Sequence, residues 1–146
     1  MSKNTETISA IYAAFGRGDV PAILEHLADD VAWDAWNTVN EGQAAGVPWL
    51  QERRGKEGVT EFFKVVAERM TFSEFNVLAL MENENQVIAE LVMEMDIIPS
   101  GGHIRDESLH MWKFNDEGKV VLYRHYIDTA GAISAYRGES GSAASA

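Results

Sequence analysis

The side chains of this chain that are best suited to chemistry are concentrated between residues 108 and 128. His110, His125 and Asp128 stand there in two alternating runs, which flank a turn at residues 115–118 (NDEG). Alternation on both sides of a turn that contains glycine predicts a β-hairpin. Polar side chains near a core cost free energy unless they have partners, so these residues either face solvent or line a site.

His110 is the first candidate for catalysis. It alternates with Ser108, Trp112 and Phe114, which predicts that these side chains share the inward face of the strand. A neutral imidazole there could donate a hydrogen bond to a carbonyl group or act as a general base near neutral pH. The alternative is a histidine at the edge of the core that is hydrogen-bonded to a neighbour. His125 lies on the following strand and could pair with His110 across the hairpin.

Asp128, at the end of the second run, is the third catalytic candidate. It is in phase with Arg124 and Tyr126 rather than with His125. One interpretation is a general base at the mouth of a pocket. The other is a salt bridge or a cap on the following turn, because exposed carboxylates are usually solvated.

No metal ion or cofactor is predicted. The two histidines have no third ligand at a supporting spacing, and the sequence contains no cysteine. Disulfides, thiolate nucleophiles and zinc–thiolate sites are therefore excluded.

Aromatic residues are the candidates for the walls of a pocket, since small-molecule sites are mostly apolar with a few polar anchors. The candidates for contact with a small apolar or polycyclic molecule are Tyr12, Trp33, Trp49, Trp112 and Tyr126. An ordinary helix core explains Tyr12 equally well, and for Trp33 a place in the core is the favoured interpretation. Trp49 lies in a long connection, residues 37–55, and is the candidate for a lid.

The spacing of apolar residues along the chain predicts the helices and strands that must position these residues. Apolar residues at helical spacing predict helices over residues 5–15, 19–28 and 58–70. Short or alternating apolar runs predict strands over residues 31–36, 72–81 and 86–98, before the hairpin of residues 108–128. Helices first and strands afterwards predict an α+β fold, with the helices on one face of an antiparallel sheet.

Acidic residues in the strand of residues 86–98 resemble paired carboxylates. Glu90 and Glu94, with Asp96, alternate with apolar positions, so we predict that they lie on the outer face of the sheet. Solvation, or cross-strand pairing with Arg105 or Arg124, explains them better than catalysis does.

Length and charge limit the range of functions. The 146 residues fit a single domain over residues 1–136, followed by a low-complexity tail, residues 137–146, that we expect to be flexible. A net charge of −11 argues against a nucleic-acid partner. No apolar run approaches the roughly 20 residues that span a bilayer, and no signal-peptide core is visible, so we expect no membrane partner and a cytoplasmic location.

Three segments resemble one family when their order and spacing are taken together: GDVPAILEHLADDVAW, RRGKEGVTEFF and HMWKFNDEGKVVLYRHYID. They are similar to SnoaL-like members of the nuclear-transport-factor-2-like (NTF2-like) superfamily, which includes ketosteroid isomerases, polyketide cyclases and non-enzymatic binding domains. The resemblance implies a cone-shaped α+β barrel, in which a curved antiparallel sheet packs on three N-terminal helices around an internal pocket. It also implies a homodimer formed through the sheet.

The catalytic residues of ketosteroid isomerase are not reproduced at the matching positions. Ala35 takes the place of its general-base aspartate, and Asp34 comes one position early, where a strand side chain points to the opposite face. Ile11 takes the place of its oxyanion-hole tyrosine, one position before Tyr12. His110 takes the place of its protonated aspartate. Steroid isomerisation by that machinery is therefore not expected.

The residues and the resemblance together predict a protein that holds a small, mostly apolar compound with a carbonyl or hydroxyl group. As an enzyme it would be a cofactor-free isomerase, cyclase or dehydratase. His110 would then act as base or oxyanion donor, with His125 or Asp128 as its partner. The alternative is a non-catalytic dimeric domain for ligand binding or protein interaction.

Overall fold

Helices fill most of the first half of the chain, and strands fill the second. The computed structural model describes residues 2–139. The helices are α1 (Lys3–Gly16), α2 (Val20–Leu24), α3 (Glu41–Ala44), α4 (Gly55–Arg69) and α5 (Thr129–Tyr136), and a 3-10 turn covers Pro48–Leu50. The strands are β1 (Leu27–Trp33), β2 (Arg53–Arg54), β3 (Met70–Asn83), β4 (Gln86–Ile97), β5 (His103–Phe114) and β6 (Val120–Tyr126). The predicted α+β class is confirmed.

A side-chain cap marks the start of each of the first two helices, and α1 begins two residues earlier than predicted. The Ser2 side chain accepts a hydrogen bond from the Thr5 amide at the start of α1, and the Asp19 side chain accepts one from Ala22 at the start of α2. The second helix ends at Leu24, earlier than predicted, because β1 already begins at Leu27.

The six strands form one curved, open sheet in the order β2-β1-β6-β5-β4-β3. Neighbouring strands are antiparallel except β1 and β6, which run parallel. The alternation of residues along a strand does not predict the pairing of β1 with β6, because it carries no information about which strand is the neighbour. Register shifts between β3 and β4, after Phe72 and after Val77, bend the long outer hairpin.

The predicted hairpin of residues 108–128 is confirmed as β5 and β6. His110 lies opposite His125, and Trp112 lies opposite Tyr123, so all four side chains share one face. Gly118 in the connecting turn has a φ of 77°, the left-handed conformation for which glycine is suited.

The long connection of residues 37–55 is more ordered than the sequence suggests. It contains α3, which starts with a capping box between Asn40 and Gln43, then the 3-10 turn and β2. Trp49 and Leu50 in the turn are buried. A short C-terminal helix, α5, was not predicted either. Residues 140–146 of the predicted tail lie outside the described residues.

No helix within residues 2–139 has both the length and the apolar character needed to cross a membrane.

Candidate active site

A cavity of about 80 Å³ lies between the inner face of the sheet and helices α1, α4 and α5. On a comparable measure a single water needs at least about 10–15 Å³, so the cavity has room for a group several waters in size. Its walls are mostly aromatic and aliphatic. Apart from tryptophans, the lining residues with polar side-chain atoms are Tyr12, Asp106, His110, Tyr123 and His125.

One hydrogen-bonded chain crosses this cavity from α1 to β5. The Trp112 indole N–H donates to the Tyr12 hydroxyl oxygen at 3.2 Å, and that hydroxyl lies 2.7 Å from His110 Nδ1. Because tryptophan can only donate, the tyrosine proton is free to be given to the histidine. This arrangement satisfies the Trp112 N–H, the Tyr12 hydroxyl and His110 Nδ1. It assigns to His110 the neutral tautomer that carries its proton on Nε2.

Burial keeps both histidines neutral. It lowers the pKa of His110 well below its usual value, with a smaller contribution from His125, and it lowers the pKa of His125 to about 3. The two rings meet edge to face, with centroids 4.8 Å apart. His125 is half-buried as a residue, but both its ring nitrogens are buried. Within the described chain they have no hydrogen-bond partner, and neither has His110 Nε2. Of the two predicted roles for His110, these pKa values favour the donor over the base.

Asp106 is a lining residue that the sequence analysis missed. It is only 3% exposed, and its Oδ1 atom has no partner among residues 2–139. Burial raises the pKa of the Asp106 carboxyl to about 6, and repulsion from Asp128 and Glu107 adds to this effect. A backbone hydrogen bond from Asp128 acts in the opposite direction. Asp106 has the same strand phase as His110, and that signal could have revealed it.

Most of the predicted aromatic wall is present. Tyr12, Trp33, Trp49 and Trp112 all line the cavity. Trp33 stacks on Tyr123, with ring centroids 4.1 Å apart, and burial raises the pKa of that tyrosine. These rings form a rigid apolar wall that surrounds the polar atoms.

The structure places two predicted site residues elsewhere. The Asp128 side chain accepts a hydrogen bond from the Gly131 amide and caps α5, which is the alternative considered for it. Tyr126 lies on the opposite sheet face from His125, is 42% exposed, and packs edge to face on Trp36. Both positions follow from strand phase, since residues 126 and 128 are out of step with residue 125.

Asp34 holds β6 in place beside the cavity without lining it. Its backbone N–H donates to the Tyr123 carbonyl at 2.8 Å, and its Oδ1 accepts from the His125 amide at 2.9 Å. Its φ of 51° is unusual for a residue with a side chain, and it turns the chain away at the end of β1. Burial raises the pKa of this carboxyl well above its usual value. Asp34 is thus a positioning residue for His125.

The outer sheet face carries the predicted charge pairs. Arg105 contacts Glu94 at 3.1 Å and Glu74 at 2.6 Å, while His103 lies 2.8 Å from both Glu94 and Asp96. Arg124 instead donates to the Ala35 carbonyl. In the part of the chain that the structure describes, no three His, Cys, Asp or Glu side chains are arranged to hold a metal ion.

An open curved sheet and covering helices that enclose an apolar cavity with a few polar groups define an α+β protein of the NTF2-like class. The sequence profile of the SnoaL-like domain matches residues 8–123, so the chain belongs to the SnoaL-like family. None of the curated proteins matches it in sequence.

Several solved structures share the fold along nearly the whole chain. An NTF2-like protein of unknown function from Burkholderia pseudomallei is 25% identical with a TM-score of 0.77, and the match covers 93% of this chain and 98% of that one. TerC, which was crystallised with polyporic acid, is 23% identical with a TM-score of 0.74, covering 92% and 98%. A candidate polyketide cyclase from Xanthomonas campestris is 20% identical with a TM-score of 0.69, covering 92% and 96%.

Proposed function

We propose that this protein is a cofactor-free enzyme that transfers a proton on a small, mostly apolar carbonyl or hydroxyl compound, as an isomerase, cyclase or dehydratase. The observation that carries the proposal is the chain from Trp112 through Tyr12 to His110 inside an aromatic cavity. His110 lines the cavity, and its Nε2, which carries the proton in this tautomer, has no partner among residues 2–139. We infer that this N–H is the donor for a ligand.

That donor suits the stabilisation of an oxyanion. When a proton leaves carbon next to a carbonyl group, negative charge develops on the oxygen, and a fixed N–H group in an apolar site stabilises it strongly. The hydroxyl of Tyr12 holds the ring of His110 from one side, so little reorganisation is needed when the charge appears. Candidate isomerases and polyketide cyclases among the structural neighbours agree with this class of reaction.

A homodimer through the outer sheet face is part of the proposal. Leu109 and Tyr126 lie opposite each other in register, on the face away from His110, and are 43% and 42% exposed. Two adjacent large apolar side chains on an open sheet favour contact with a second copy. A cytoplasmic location also remains part of the proposal, and cell fractionation would test it.

Proton transfer can be detected without knowledge of the natural substrate. We would incubate the protein in D₂O with a bicyclic enone of the hexahydronaphthalenone type and follow deuterium incorporation by NMR. The wild-type protein should accelerate exchange over buffer. His110→Phe should lower the exchange rate about tenfold or more, because a single oxyanion-hole contact contributes at least this much. Tyr12→Phe should also lower the rate, because it removes the hydroxyl that holds the ring of His110.

The control is Tyr126→Phe, which removes a tyrosine hydroxyl outside the cavity and should exchange at the wild-type rate. Exchange no faster than in buffer would contradict the proposed function. A rate of exchange that both His110→Phe and Tyr12→Phe leave unchanged would also contradict the proposed function.

A further inference from the structure

A groove on the surface between α1 and β3 adjoins the cavity. It has a volume of about 530 Å³, and the residues that line it are Tyr12, Ala13, Phe15, Gly16, Phe72, Phe75 and Val77. Four of these residues also line the cavity, and all four are aromatic: Tyr12, Phe15, Phe72 and Phe75. These four side chains therefore form a boundary that the cavity and the groove share.

The aromatic boundary consists of rings in contact with one another. The ring centroid of Phe15 lies 5.0 Å from that of Phe75 and 5.7 Å from that of Phe72. The rings of Tyr12 and Phe75 lie 6.0 Å apart. All four side chains are only partly buried, and such side chains change rotamer without movement of the backbone. A rotation of Phe15 or Phe75 is therefore enough to join the cavity to the groove.

A β-bulge in β3 creates this boundary. Phe72 lies opposite Met95 on the neighbouring strand β4. Phe75 lies opposite Met93, so three steps along β3 match two steps along β4. In a regular strand, residues three positions apart point to opposite faces of the sheet. The bulge instead brings both phenylalanines to the inner face, and bulges often re-aim a side chain beside a functional site.

The groove is suited to an extended apolar chain. Its lining residues, all within the described chain, carry no charge, and the hydroxyl of Tyr12 already contacts His110 and Trp112. Its β3 side, from Phe72 to Val77, extends roughly 16 Å at about 3.3 Å per residue. The cavity itself, at about 80 Å³, accommodates the polar head of such a molecule and not its whole length.

We propose that the ligand site continues through the aromatic boundary into the groove, and that the ligand is a carbonyl compound with a long apolar chain. The carbonyl group would lie in the cavity near His110, and the chain would lie between α1 and β3. The four shared residues identify the occupant of the groove as the tail of the cavity's own ligand. This inference rests on the proposed function for the carbonyl end and adds the substrate class.

A series of straight-chain methyl ketones, from butanone to a chain of about twelve carbons, tests the proposal. Binding is followed by tryptophan fluorescence, because Trp33, Trp49 and Trp112 line the cavity. Complete burial of one methylene group contributes about fourfold in affinity. We expect the Kd to fall by about two- to fourfold for each methylene group added, since the groove receives the carbons that extend beyond the cavity.

Ala13→Phe is the variant that blocks the groove. Ala13 is exposed and lines the groove but not the cavity, so the added ring should fill the groove and leave the cavity unchanged. We expect the longest ketone to bind at least about tenfold more weakly, the contribution of roughly two methylene groups, and butanone to bind as before. Ala10→Phe is the matched control, because Ala10 is exposed on the same helix and lines neither space. It should bind every ketone as the wild type does.

Urea unfolding of both variants establishes that they are folded. An affinity that does not rise with chain length would overturn the inference, and so would the absence of binding by any ketone. The same holds if Ala13→Phe binds the longest ketone as tightly as Ala10→Phe does. The proposed function is judged separately, by deuterium exchange. A protein that binds the series as expected but does not accelerate exchange would keep the extended ligand site and lose the proposed reaction.

Discussion

Asp106 should make the folded protein less stable at neutral pH than it would be with a neutral side chain in the same place. Its carboxyl has a pKa of 3.8 when unperturbed and about 6 in the folded protein. The folded state therefore binds this proton more tightly than the unfolded state does. As pH rises from about 4 to about 6, stability is lost, and above that range the loss is constant.

The magnitude follows from the two pKa values. A difference of this size corresponds to about 3 kcal/mol between the protonated and ionised states. Asp106→Asn keeps the shape of the protonated carboxyl without its charge. We expect this variant to be about 3 kcal/mol more stable than the wild type at pH 7.5, and to differ little from it at pH 4. For a chain of this length the gain corresponds to a rise in Tm of about 6–12 °C.

Urea unfolding of both proteins across this pH range measures the effect. Other groups titrate there too: burial of His110 and His125 in neutral form makes the protein less stable as pH falls below about 6.5. These contributions are common to both proteins and cancel in the difference. Glu107→Gln should show no comparable dependence on pH. A stability difference between Asp106→Asn and wild type that is the same at pH 4 and pH 7.5 would refute the reasoning.

Two further predictions concern residues outside the cavity. Asp128→Ala should lower the free energy of unfolding in urea by about 0.5–2 kcal/mol, because it removes the cap of α5, and should leave the rate of enone exchange within about twofold. A loss of rate comparable to that of His110→Phe would show that Asp128 takes part in the chemistry. Leu109→Glu should convert the proposed dimer to a monomer, measured by light scattering after size-exclusion chromatography. Leu78→Glu, on the edge strand, is the control and should leave the dimer intact. A wild-type protein that is a monomer would contradict the proposed dimer.

Local patterns in the sequence predict much of this fold. The alternation of residues 108–114 places His110 and Trp112 on the inner face, and helical spacing finds α1 and α4 to within a few residues. What the sequence does not reveal is non-local. The parallel pairing of β1 with β6 joins segments about 90 residues apart, and Tyr12 meets His110 across 98 positions. No periodicity encodes such contacts, because they depend on how whole elements pack.

Asp106 illustrates a different limit. An acidic residue in a strand is normally solvent-exposed, so the residue type predicts that Asp106 faces solvent. Its position in the alternation predicts the inner face instead, and this second prediction agrees with the structure, since residues 106, 108, 110 and 112 are all buried. The position of Asp34, one residue after the cavity residue Trp33, predicts that it does not line the cavity, and the structure agrees. The same position gives no sign that the Asp34 side chain accepts a hydrogen bond from the His125 amide.

The polar groups of this cavity lower stability, and that cost is the strongest reason to regard them as functional. Burial disfavours the charged form of three ionisable side chains, Asp106, His110 and His125. His110 Nδ1 is satisfied by Tyr12, and the Asp106 carboxyl accepts one backbone hydrogen bond from Asp128. Asp106 Oδ1, His110 Nε2 and both ring nitrogens of His125 have no partner among residues 2–139. Apolar side chains of similar volume would stabilise such a core.

The pKa values of the acid and of the histidines also shift in opposite directions, upward for Asp106 and downward for the imidazoles. The same division occurs in sites where one group accepts a proton and the others donate hydrogen bonds while neutral. Packing alone explains neither the cost nor that division, and both are in keeping with the proton transfer proposed above.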